Sequence, residues 1–175
     1  MQLIAEDRRI TYSIVLGIPA MLIAWAVAHD QYLVRIAPEH FTEYHEPLWN
    51  ISNPPTLAAV YAFGATIGPG LIMGLLSAFF GRHGEEPKVP VRTIFLGFLI
   101  VIAVTEALGA LAGFVVWKTG EPIYPQRWYP DRTLPIAITQ SIQITCYATA
   151  SVASAFYCIA LWMLRRRCNR RNGAR

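Results

Sequence analysis

Four long apolar stretches, each able to cross a lipid bilayer, constrain this 175-residue chain more than any other feature. They run over about 10–28, 56–80, 93–117 and 134–164, and a transmembrane helix needs about 20 mostly apolar residues. Three of them contain no charged residue, and the third contains one, Glu106. Composition agrees: 15% of residues are charged and 54% hydrophobic, where a soluble domain carries about 25% charge. The expected fold is a single all-α integral membrane domain, a four-transmembrane-helix bundle with a small ordered cap made by the loops 29–55 and 118–133. The fourth stretch is longer than a bilayer core requires, so tilt or a projecting end must absorb the excess.

The charges orient this bundle. With the N-terminus cytoplasmic, eleven Lys and Arg residues fall on the inner side, including the basic tail 165–175, and four fall outside: Arg35, Lys118, Arg127 and Arg132. The positive-inside rule then places both termini in the cytoplasm, and a bacterial inner membrane is the expected location. The same asymmetry accounts for the +4 net charge without a nucleic-acid partner. A cleaved leader ending at Ala26-Val27-Ala28 also fits Arg8-Arg9 and the apolar run, but Glu6 and Asp7 and the length of that run speak against it. Trp25, Trp49, Trp117, Trp128 and Trp162 fall near the ends of the stretches, where interfacial belts place such rings.

Cysteines and histidines narrow the chemistry. Cys146, Cys158 and Cys168 all lie outside the outer loops, which leaves no exported disulfide there. His29, His40 and His45 are assigned to the first outer loop and His83 to the inner one, so a haem held between helices by paired imidazoles is not expected. No cofactor is expected, and no motif argues for an enzyme. Within the loop, Pro38 to Glu46 reads as a short helix lying flat on the membrane, with Phe41 and Tyr44 in the headgroups. Its His40, Glu43 and His45 are the only metal-ligand candidates, and their spacing suits a metal badly: the two histidines are five apart, where helical ligands want three or four. A membrane enzyme using this loop is the weakest reading. Thr56, after Pro54-Pro55, is expected to cap the second helix.

Inside the membrane, small residues recur one turn apart. Ser13, Gly17, Ala20, Ala24 and Ala28 form a stripe on the first stretch. Gly64/Gly68 and Gly70/Gly74 pair on the second, and Gly109/Gly113 on the third. Such pairs let helices approach closely in lipid. They serve a compact bundle, a homo-oligomer, or docking onto a larger membrane complex as an accessory or assembly subunit.

One polar zone lies at mid-depth. Glu106 stands near the middle of the third stretch, where an isolated ionised carboxylate costs on the order of 3 kcal/mol or more. It must be protonated or paired inside the bundle. The candidates around it are Gln140, Gln143 and Tyr147, on one stripe of the fourth stretch, and Thr66 on the second, where Gly68-Pro69-Gly70 is expected to break the helix. The expectation is a ligand- or proton-binding site centred on Glu106, as in a small transporter or ion-binding protein.

Overall fold

The computed structural model describes residues 8–46, 48–84, 87–131 and 133–172, with side chains up to residue 167. Glu6, Asp7, Arg132 and Arg175, and the side chains of Cys168, Arg170 and Arg171, lie outside that description. Five α-helices follow one another: α1 (Arg8–Ile36), α2 (Pro38–Thr42), α3 (Pro54–Arg82), α4 (Val91–Thr119) and α5 (Leu134–Asn172). Four of them are long and apolar enough to cross a membrane, and among the described residues there is no strand. Large apolar side chains such as Leu16, Phe63, Ile72, Ile100, Leu111 and Phe156 stay exposed around the bundle. A water-facing surface does not carry that much oil, whereas lipid covers it at no cost. The chain is an all-α integral membrane protein built as a four-helix bundle.

The bundle is two antiparallel hairpins, α1–α3 and α4–α5, packed side by side. Small residues set both close contacts. A β-carbon on Gly74 would lie 2.6 Å from the carbonyl oxygen of Val15, and one on Gly70 would lie 2.9 Å from the Cα of Pro19. Pro19 lacks the N–H that would have bonded the Val15 carbonyl, so α3 rides up against the backbone group that the proline leaves free. On the other hairpin, Gly109 and Gly113 face Cys146 and Ile142 of α5. Gly17 packs against α4 instead, where an added β-carbon would lie 2.8 Å from the Phe95 ring, and the other small residues of these stripes make no such contact. Gly64 and Gly68 have open space beside them, and Ser13, Ala20, Ala24 and Ala28 are exposed. The α1 face turned to α3 carries Val15, Pro19 and Leu22 instead.

Two expected features are corrected. Gly68-Pro69-Gly70 does not break its helix, because α3 runs through Pro69 from Pro54 to Arg82. The polar stripe of α5 is not its buried face: Tyr147 is 64% exposed, while Ile142, Cys146, Tyr157 and Leu161 turn inward. Tyr157 ties the hairpins together at the end away from the cap, its hydroxyl 3.1 Å from the Ile94 carbonyl and 3.2 Å from Ser77 Oγ.

At the other end the loops form an ordered cap. Helix α2 is short and folds inward; Phe41 is buried against Leu33, Val34, Leu57 and Ile142 rather than lying in headgroups. The N-cap of α3 is Asn53, whose side chain accepts from the Thr56 N–H at 3.0 Å and from the Thr56 hydroxyl at 2.8 Å. Prolines keep 120–131 out of α-helix apart from a 3-10 turn at Gln126–Trp128. Tyr124 and Tyr129 bond Thr145 and Ser141 of α5 at 2.7 and 2.8 Å, closing that loop onto the bundle. Arg165, at the start of the basic tail, is buried and donates to the carbonyls of Pro87 and His83. Arg166 lies over the Trp162 ring at 3.8 Å, and Lys118 over Trp117 at 4.4 Å, so cations and exposed indoles meet at both ends of the bundle.

Candidate intramembrane His–carboxylate site

Helix α1 continues eight residues beyond the apolar run read from the sequence, through His29, Asp30 and Arg35 to Ile36. Trp25, His29 and Tyr32 stand at i, i+4 and i+7 and so share one face. That face meets α4 at Glu106. The Trp25 indole N–H donates to Glu106 Oε2 at 2.8 Å, and the Tyr32 hydroxyl donates to Oε1 at 3.0 Å. His29 Nδ1 lies 2.8 Å from Oε2, with the Tyr32 oxygen 3.1 Å away. The Tyr32 proton is committed to the carboxylate, so His29 presents Nδ1–H to Oε2 and keeps Nε2 free. Trp25 and Tyr32 also flank the imidazole, with ring centroids at 5.1 and 5.0 Å.

Three donors on one carboxylate replace much of the hydration that it loses. His29 is 5% exposed at its side chain and Glu106 35%, so the acid closes the site at its edge while the base lies inside. The partners expected for Glu106 are therefore corrected. Its side chain turns to α1, although Gly109 and Gly113, three and seven residues on, face α5.

Thr66, Gln143 and Tyr147 do come together, around a different acid. With His29, Asp30 and Cys146 they line a cavity of about 70 Å³ enclosed by α1, α3 and α5. Asp30 is 9% exposed, and among the described residues it accepts no hydrogen bond. Thr66 donates to the Ala62 carbonyl at 2.5 Å, which leaves its lone pairs available. His29 thus belongs to both halves of the site, bonded to Glu106 and lining the cavity of Asp30.

A wider vestibule of about 450 Å³ lies under the cap, lined by His40, His45, Arg127, Gln140, Gln143 and Tyr147 among others. Gln143 and Tyr147 line both spaces. Gln140 is held at the rim, donating to the Trp128 carbonyl at 3.1 Å. Burial is the main force that lowers the His40 pKa to about 4; nearby His45 adds to it and the Gln143 bond opposes it. His40 is therefore neutral at pH 7, with Nε2–H on Gln143 Oε1 at 2.8 Å and a buried Nδ1 without a partner. His45 Nδ1 donates to the His40 carbonyl at 2.7 Å, and Glu43 is exposed. Among the described residues no three His, Cys, Asp or Glu side chains form a metal-holding group.

Pro69 borders a third space, an apolar cleft of about 310 Å³ at mid-depth where all four long helices meet; Trp25, Thr105 and Ser151 also line it.

Read from the sequence, Trp25 falls in an interfacial belt and His29 in an outer loop, and the site they form with Tyr32 and Asp30 is missed because the apolar run ends at Ala28, before the first polar pair. The spacing of Trp25, His29 and Tyr32 was the available signal. Comparison with known proteins finds no matching family model, no similar curated protein and no similar solved structure.

Proposed function

We propose that this chain is a small polytopic membrane protein that takes up a proton onto the His29–Glu106 pair from the capped end of the bundle, as a transporter or ion-binding protein does. The 2.8 Å contact between His29 Nδ1 and Glu106 Oε2 carries the reading. A proton arriving by the vestibule, past Gln143 and Tyr147, meets Nε2 of His29, the ring nitrogen turned away from Glu106. The carboxylate already bonded to Nδ1 balances the new charge. Tyr32, Asp30 and Cys146 are the titratable groups facing the pair, and none of them brings a permanent positive charge. An intramembrane ionisable pair of this kind is a functional element by default. With the termini cytoplasmic, as the Lys and Arg distribution argues, the vestibule opens to the outside.

Infrared difference spectra of the reconstituted protein between pH 8 and pH 5 test it. A carboxylate or imidazole band that titrates in the wild type and is absent in Glu106→Gln and His29→Gln supports the reading. A spectrum unchanged by both substitutions defeats it.

One observation favours a second reading. The open faces beside Gly64 and Gly68 on α3, unused among the described residues, suit a close-packed neighbour, whether another copy or a larger complex. Gly68→Leu then abolishes co-purification of that neighbour and leaves the isolated chain folded.

A further inference from the structure

We propose that Asp30, with Thr66, Gln143 and Tyr147, binds a small monovalent cation in the cavity between α1, α3 and α5. This goes beyond proton uptake at the His29–Glu106 pair and uses a different carboxylate. Glu106 has three donors and needs no further partner. Asp30 is more deeply buried than Glu106, at 9% exposed, and receives no hydrogen bond among the described residues. A buried polar group without a partner is costly, and a buried carboxylate needs either hydrogen-bond donors, as Glu106 has, or a cation.

The surroundings of Asp30 favour a cation. Thr66 spends its only hydroxyl proton on the Ala62 carbonyl, so it offers lone pairs to the cavity. Gln143 Oε1 accepts from His40 and has a second lone pair. Tyr147, mostly exposed but lining the mouth that the cavity shares with the vestibule, brings a hydroxyl without a partner among the described residues, and oxygen donors are the ligand type that hard cations take. Among the described residues no Lys or Arg lines the cavity, and its one imidazole, His29, has Nδ1 engaged by Glu106. One negative charge selects a monovalent ion, because a divalent ion would leave a net charge buried there. A space of about 70 Å³ accommodates such an ion with one or two waters, each taking roughly 30 Å³. The shared walls at Gln143 and Tyr147 connect the cavity to the vestibule.

The test is the melting temperature of the purified full chain at pH 8, titrated with NaCl, KCl or NH₄Cl against choline chloride at constant ionic strength. The expected result is a saturable rise with at least one small cation and none with choline. Asp30→Asn loses that rise, and Glu106→Gln keeps it. A response equal in all four salts, or one that persists in Asp30→Asn, overturns the proposal and leaves Asp30 as a protonated structural group. Should Asp30→Asn fail to fold, Thr66→Val decides. A shift of the half-saturating concentration by tenfold or more supports the cation, and an unchanged value refutes it. Because Glu106→Gln removes the proton site alone, failure of either site is read independently of the other.

Discussion

His29 Nδ1 sits 2.8 Å from Glu106 Oε2, a hydrogen bond from the first helical hairpin to the second. Helix α1 packs mainly on α3, and α4 mainly on α5, so direct packing between α1 and α4 is sparse. The three hydrogen bonds to Glu106 add to the apolar contacts of Ile14 and Ile18 with Phe98 and Val101, so the proposed proton site also helps to hold the two halves of the bundle in register.

The register makes the donors measurable. Trp25→Phe removes one of the three hydrogen bonds to Glu106 while keeping an apolar ring beside His29. We expect a loss of about 1–2 kcal/mol, because the carboxylate keeps two of its three donors. Equilibrium unfolding in detergent micelles measures this; a neutral substitution would mean that the indole N–H contributes nothing net.

Glycines at the α1–α3 contact and on the open α3 face respond in opposite ways. Gly74→Ala places a methyl group 2.6 Å from the Val15 carbonyl oxygen, and overpacking of this kind costs about 1–3 kcal/mol. Gly64→Ala meets nothing and gains helix propensity, so the isolated chain is stabilised by up to about 1 kcal/mol. Thermal melts of the two variants side by side are the check. If Gly64→Ala also destabilises the isolated chain, the α3 face is not open.

Acid weakens the cap. His40 has a folded-state pKa lowered to about 4 from an ordinary 6.5, so between those values the unfolded chain binds a proton that the folded chain refuses. Stability therefore falls as pH drops from about 6.5 to about 4, and the loss is complete below the lower value. Hydrogen exchange of the amides of α2, followed from pH 7 to pH 4 with correction for intrinsic rates, should show this protection lost. In His40→Gln this component of the pH dependence disappears.

Phe41 anchors the cap to the bundle. Truncation to Ala leaves a cavity among Leu33, Val34, Leu57 and Ile142, at a cost of about 3–5 kcal/mol. Limited proteolysis between residues 37 and 53 should accelerate strongly in Phe41→Ala, and cysteines introduced along the vestibule should become freely reactive. Unchanged proteolysis would place the ring outside the core.

Much was legible before any coordinates. Periodic small residues and long uncharged runs specify a membrane bundle, since only helices satisfy their own backbone in lipid. Pro54 and Pro55 mark the start of α3, and Glu106 announces that something must answer it. Gly109 and Gly113 were legible as a contact, but not whose: they select α5, while Glu106, three residues before Gly109, turns to α1. Nor does composition distinguish Gly70 and Gly74, which receive α1, from Gly64 and Gly68, which receive nothing.

The sequence by itself determined the number of long helices, their approximate extent and the presence of one carboxyl at mid-depth, because hydrophobicity and length act along the chain. Tertiary structure alone decided that α1 continues past His29 and Asp30. Polar side chains end a membrane helix only when lipid is their sole neighbour, and here other helices supply what water would have. For the same reason the partners of Glu106 came from a helix that is about 75 residues away in the chain, a distance over which no local pattern carries information.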